Sequence, residues 1–385
     1  MKMFKFIFII TLTLGVALGL VLGGCKNPVK AEILEPPEIQ EAVSEALEIE
    51  KAPIREEPVE CTSRNDKEMF LEMNRGMYFH DGWIFYDNGA DFRKCKPDLT
   101  EDTSVFPLTG RYFNILNQEG IATIKVYPGE SRKPGDDEVH ILDVHTGKSE
   151  KIDRLDTEYM GYRLLYKDYL IVVQQIVIEG HGAATQLDLY GRQGNFIKTI
   201  APYVNYTCFA VVDNAVYYLQ YYGDEKRTSP SNKVMRYDII SGETEVVLEF
   251  DLPEAPEVGY PSWSTVYFTG RTIIAHSKDA FVYTSIDEIE PKKILFSEIH
   301  KGEGDFVITV IPSVDEDIYF QSLHFGEGGD ENGFLYSRFY KMARGTNEPI
   351  FLKETDGDIR GFAVFSEGYL YHLLYGGDIA REKLC

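Results

Sequence analysis

Asp81-Gly82-Trp83-Ile84-Phe85-Tyr86 decides the fold, because it recurs in altered form along the chain. Asp-Gly is a two-residue hairpin turn: the tight turns that match strand twist need positive φ at their centre. The aromatic and β-branched residues after it suit a pleated strand. Similar turns stand at Glu119-Gly120, Lys167-Asp168, Asp213-Asn214, Thr269-Gly270, Asp315-Glu316 and Glu367-Gly368, each followed by a run rich in Ile, Val, Leu or Tyr. Their second residues lie 38, 48, 46, 56, 46 and 52 positions apart. Strand-rich units of ~40–50 residues have the period of propeller blades.

A second hairpin follows in most units. Residues 139–148 (VHILDVHTGK) align with 234–243 (VMRYDIISGE), and residues 187–190 and 336–344 are weaker copies. Two hairpins make four strands, and one such sheet cannot bury its own faces, so neighbouring units must stack in a ring. The spacing predicts an all-β chain, a β-propeller of seven four-stranded blades over residues 61–385, with six and eight blades as the alternatives. The seventh unit begins near Gly361 and leaves room for two or three strands before Cys385. Residues 60–75 are placed to supply its outer strand and so cover a sheet edge.

One stretch is also similar to a known group. Asn74-Arg75-Gly76, the hairpin from Asp81 to Asn88, and Phe92-Arg93-Lys94-Cys95-Lys96-Pro97-Asp98 resemble a bacterial family of surface proteins described as similar to the β-propeller of low-density-lipoprotein-receptor-related proteins. That family repeats a DGWIYYSN-like hairpin followed by LYRIKPDG. Leu99 stands where the family has its second glycine, and later units keep only the turn and the aromatics. The resemblance implies the propeller fold for most of the domain and brings no catalytic residue with it.

Ahead of the repeats, Lys2 and Lys5 precede an apolar run from Phe6 to Leu22, which ends at Leu22-Gly23-Gly24-Cys25. A basic start, an apolar core and a small-residue cleavage site make a signal peptide. The run is also close to the ~18 residues that span a bilayer, so an uncleaved anchor is the competing reading. Leu22-Gly23-Gly24-Cys25 resembles the lipobox of bacterial lipoproteins. The resemblance implies loss of residues 1–24, a diacylglycerol on the Cys25 thiol and an acyl chain such as palmitate on the new amino group. It places the protein on the extracytoplasmic face of the cell membrane. Two or three acyl chains hold firmly, at ~0.8 kcal/mol per buried CH₂. Residues 25–60 read as a disordered tether: from Lys26 to Glu60 there are ten glutamates, four basic residues and five prolines. Such a coil reaches roughly 30 to 35 Å.

The formal charge is −23, and removing residues 1–24 takes two lysines and no acid, leaving −25. That charge repels nucleic acid and anionic headgroups, so neither is expected as a partner. Four cysteines follow Cys25. Cys208 sits in an apolar run and reads as a buried thiol, while Cys61 is placed to pair with Cys385 or with Cys95. No CxxC or Cys/His spacing suggests a zinc site.

Chemistry is sparse. No HExxH occurs, and of eight histidines only His140 and His145 are close in sequence. Asp330-Glu331-Asn332-Gly333 lacks the order of a calcium loop. Gly259-Tyr260-Pro261-Ser262-Trp263 lacks the spacing of a nucleophile elbow. A propeller glycoside hydrolase would need paired carboxylates facing the central channel, and the first strands are mostly apolar. No metal or cofactor is expected, and an enzymatic role is disfavoured but left open. Trp263, Tyr260, Tyr221, Tyr222 and Phe325 fall in connections, where aromatic rings can stack on a sugar or a protein. The expected function is a non-catalytic binding platform for an envelope protein or glycan, with a glycan-cleaving enzyme and an envelope assembly factor as alternatives.

Overall fold

The structure, a computed structural model, describes residues 70–385 apart from 73–76, 108–110, 117–119, 127–137, 153–154, 156–159, 179–181, 223–229, 252–265, 278, 300–304, 314–316, 327–333, 356–362 and 375–377. Residues 1–24, expected to be a signal peptide, Cys25, residues 26–60, expected to be a tether, and Cys61 lie outside the described residues.

Seven antiparallel sheets follow one another along the chain as the blades of a ring. Their first strands are Met77–His80, Arg111–Leu116, Met160–Tyr166, Val204–Val212, Val266–Thr269, Asp305–Ile311 and Ala363–Ser366. Each pairs with a second strand, and in blades one, three, four, five and seven the link is a described tight turn; residues 117–119 and 314–316, which carry the expected turns of blades two and six, lie outside the described residues in whole or in part. Asp81 and Gly82 (φ 47° and 71°), Asp213 and Asn214 (50° and 60°), and Glu367 and Gly368 (50° and 83°) have the positive φ expected of such turns. In blade five the turn is Gly270-Arg271, one residue later than the spacing suggested, because Thr269 pairs with Thr272.

The turns between third and fourth strands also repeat their chemistry. Asp143 Oδ1 accepts from the amides of His145 and Thr146, and Asp238 Oδ1 accepts in the same way from Ile240 and Ser241. The amide just beyond the third strand then donates to the first turn of its own blade. Val144 donates to Gly120, Arg192 to Asp168, Ile239 to Asn214, Ile286 to Arg271 and Leu384 to Gly368. In blades two to five the two turns are thus locked together at one end of the ring, and in blade seven the end of the third strand is locked to the first turn. The connections between second and third strands, and from one blade to the next, leave at the other end.

Alternation along the second strands explains why they read as continuous apolar runs. In a strand, successive side chains point to opposite faces. Ile84 and Tyr86 pack toward blade seven and Phe85 toward blade two. Val216 and Tyr218 face blade three, whereas Ala215, Tyr217 and Leu219 face blade five. Ile318 and Phe320 face blade five and Tyr319 faces blade seven. Seven clusters of buried side chains result, one at each junction between neighbouring blades.

The ends of the chain depart from expectation. Among the described residues blade seven has three strands, and Leu71–Glu72 does not join it. These residues pair with the first strand of blade four instead, Leu71 opposite Val211 and Glu72 opposite Ala210. The preceding Phe70 explains the choice. Its ring packs 5.1 Å from Tyr217 and 5.2 Å from Phe268, and its amide donates to Gly270 O. Blade seven meets blade one through a shared apolar cluster and through Tyr371 Oη and Arg381 Nη1, which both donate to Pro97 O.

Cys385 is disulfide-bonded, and its partner lies outside the described residues. Cys95 is a buried thiol in the junction of blades seven and one, which corrects the Cys61–Cys95 alternative. Cys208 is a second buried thiol.

Phe365 is fully buried and stacks on Tyr319 across the junction of blades six and seven, with ring centroids 3.7 Å apart. Phe365→Ala is expected to cost about 3–5 kcal/mol in denaturant unfolding.

Candidate functional site

The two ends of the ring are built from different material. At the tight-turn end, charged and polar side chains link one blade to the next. Lys167 Nζ donates to Asn214 Oδ1 at 2.7 Å, joining blades three and four. Arg271 Nη2 reaches Asp213 at 2.7 Å in blade four and Asp287 at 2.8 Å in its own blade. Arg344 Nη2 of blade six donates to the same Asp287 at 2.6 Å. Beneath it Lys341 and Asp317 form a buried pair at 2.9 Å. The Arg271 guanidinium holds the Asp287 carboxyl well below the usual carboxylate range; burial opposes this and Arg344 adds to it.

A cleft of about 280 Å³ opens between blades four and five, lined by Asp213, Tyr217, Arg236, Glu245, Thr284 and Ser285 among others. Its charges are already matched: Arg236 pairs with Glu245 at 2.9 Å and with Asp238 at 3.1 Å. A balanced cleft of this size suits the locking of two blades more than the capture of a charged ligand.

Three of the aromatic candidates belong to the opposite end. Tyr221 and Tyr222 close the second strand of blade four, Ala215–Tyr222, and Phe325 closes that of blade six, Ile318–Phe325. Tyr260 and Trp263 lie outside the described residues, in the stretch that joins the last strand of blade four, Thr244–Glu249, to the first of blade five. The topology therefore assigns Tyr221, Tyr222 and Phe325, from two blades, to one end of the ring.

Sequence proximity was a poor guide to the histidines. His140 Nε2 pairs with Glu138 at 3.0 Å, whereas His145 Nε2 meets His80 Nε2 at 3.2 Å, from a residue 65 positions away. Among the described residues, no group of three or more His, Cys, Asp or Glu side chains is placed to hold a metal ion. The seven first strands contain one carboxylate residue, Asp305, and the added strand contributes Glu72. The side chains of both lie outside what the structure describes. The Arg271–Asp287–Arg344 bridge was not anticipated, because its members come from separate turns of two blades and no local motif marks them.

No protein-family model matches the chain, and no curated protein matches it. Among solved structures the chain is similar to BamB from Moraxella catarrhalis, at 12% identity and a TM-score of 0.41, over 82% of this chain and 96% of that one. It is also similar to KlHsv2 with loop 6CD replaced by a Gly-Ser linker, at 10% identity and a TM-score of 0.44, over 80% and 89%. An oligogalacturonate lyase in complex with manganese aligns at 12% identity and a TM-score of 0.41, over 80% and 79%. Likeness at these identities is a matter of fold. The class of the domain is that of a seven-bladed β-propeller.

Two predictions follow from the locked end. The folded pKa of Asp287 lies below its ordinary value of 3.8, so its stabilisation is complete above that value and fades as pH falls through the folded one. Asp287→Asn should cost roughly 3 kcal/mol at pH 7, and thermal unfolding at falling pH should show the gap closing in strong acid. Burial, with Asp102 and Asp98 adding to it, pushes the Cys95 thiol up to about 11. Iodoacetamide at pH 8 should label Cys95 only after unfolding, as peptide mass mapping would show.

Proposed function

We propose that the protein is an extracytoplasmic lipoprotein, held at the cell membrane through Cys25, whose propeller is a non-catalytic binding platform for an envelope protein or glycan. One observation supports the platform most. The connections carrying Tyr221, Tyr222 and Phe325 leave the ring at the end opposite the locked turns. Phe70 and Cys385 both lie at the locked end, where Phe70 N donates to Gly270 O and Cys385 N to Gly368 O. The far end is thus clear of both Phe70 and Cys385, and its connections can vary without disturbing the turns that hold the blades together.

The anchor rests on the signal-like start and on the Leu22-Gly23-Gly24-Cys25 pattern. Mass spectrometry of the membrane fraction should show a mature chain that begins at an acylated Cys25; an unmodified Cys25 would defeat the lipoprotein reading. The platform has a separate test. A photo-crosslinking residue at Phe325 on intact cells should capture a protein or glycan. The same residue at Ile240, which is 76% exposed at the locked end, should capture little. Equal capture from both positions would count against binding through the far end.

A further inference from the structure

His80 and His145 bring two imidazole nitrogens together from different blades. His80 ends the first strand of blade one, Met77–His80, and pairs with Trp83 across the tight turn. His145 sits in the second turn of blade two, where its amide donates to Asp143 Oδ1 at 2.8 Å. Two turns on different blades thus bring together the half-buried His80 and the exposed His145. Their Nε2 atoms are 3.2 Å apart and the ring centroids 5.2 Å apart.

Gly120 makes the approach possible. It has φ +74°, and a Cβ at that position would lie 2.5 Å from His145 Nε2 and 2.9 Å from His80 Nε2. Both nitrogens therefore converge on the space that a side chain at position 120 would fill. The absent side chain serves two ends here: it permits the turn, and it leaves room for the rings.

We infer that His80 and His145 form a binding site for a single divalent transition-metal ion of the zinc and copper class, bridging blades one and two. Two nitrogens at the ~2.0–2.1 Å of a zinc–imidazole bond, set at a tetrahedral angle, lie about 3.3–3.4 Å apart, close to the 3.2 Å observed. In the metal-free pair one ring donates its Nε2 proton to the other ring. On metal binding that proton passes to Nδ1 of the same ring, so both Nε2 lone pairs face the ion and no proton is lost overall. Two protein ligands leave the other coordination positions to water or to a donor from a partner. Imidazole nitrogen suits Zn²⁺, Ni²⁺ and above all Cu²⁺, whereas Ca²⁺ and Mg²⁺ take oxygen ligands.

The test is titration of the full, untagged chain in detergent with Zn²⁺, read against a competing chromophoric chelator. One high-affinity Zn²⁺ per chain is expected, and neither Ca²⁺ nor Mg²⁺ should displace it. His80→Ala and His145→Ala should each weaken binding at least tenfold. Gly120→Ala should weaken it as well while keeping both imidazoles, because its Cβ enters the site. Electron paramagnetic resonance of the wild-type chain loaded with one Cu²⁺ needs no variant and should report two nitrogen ligands. Wild-type affinity in either histidine variant, no Zn²⁺ uptake by the wild type, or a Cu²⁺ spectrum without nitrogen coupling would each overturn the inference.

Discussion

Every blade of this protein is buried on both faces, and that constraint governs the rest of the structure. A sheet covered on one side only would alternate apolar and polar residues. Here the second strands carry apolar side chains on both faces, as Val216 and Tyr218 against blade three and Tyr217 and Leu219 against blade five show. No blade can satisfy this alone, and no blade can be left out. Stability is therefore a property of junctions: each of the seven clusters is shared between two neighbours.

Stacking by apolar contact alone would leave the blades free to slide, and the locked end limits that freedom. In blades two to five the donor amide beyond the third strand ties the two turns of the blade together, and Arg271, Asp287 and Arg344 tie blades four, five and six to one another. The last junction is closed by side chains as well, through Tyr371 and Arg381 on the Pro97 carbonyl. Phe70 extends the arrangement by wedging between blades four and five. With one end fixed in this way, the connections at the other end are relieved of structural duty, which is the physical basis for reading that end as the binding face.

Much of the fold was legible because hairpin turns constrain residue type. Asp81-Gly82, Asp213-Asn214 and Glu367-Gly368 stand where positive φ is required, and the two turns with Asn or Gly beside Asp are plain in sequence. Leu99 is the contrary case. It holds φ 66° at the position where the resembled repeat carries glycine, so the backbone demand is present without the residue that would announce it. Blade five misled by one residue because Gly270 can serve as either member of a turn. The fate of Leu71 and Glu72 was hidden for another reason: an edge strand reads the same whichever sheet it joins, and the aromatic pocket that selects blade four is assembled from residues far away in sequence. The histidine pair escaped notice on the same grounds. In sequence only His140 and His145 stand close, and they read as structural or solvent-facing; His80 and His145, 65 positions apart, are brought together by the stacking of blades alone.

The central claim is that the turns of blades two to five, and the first turn and last strand of blade seven, are locked together at a single end of the ring. Amide hydrogen exchange of the folded chain tests it most directly, because each lock is a specific backbone hydrogen bond with a named donor. The amides of Val144, Arg192, Ile239, Ile286 and Leu384 should be protected for hours, to a degree comparable with the strands they follow. Exchange of these five amides at the rate of exposed turn residues would contradict the account.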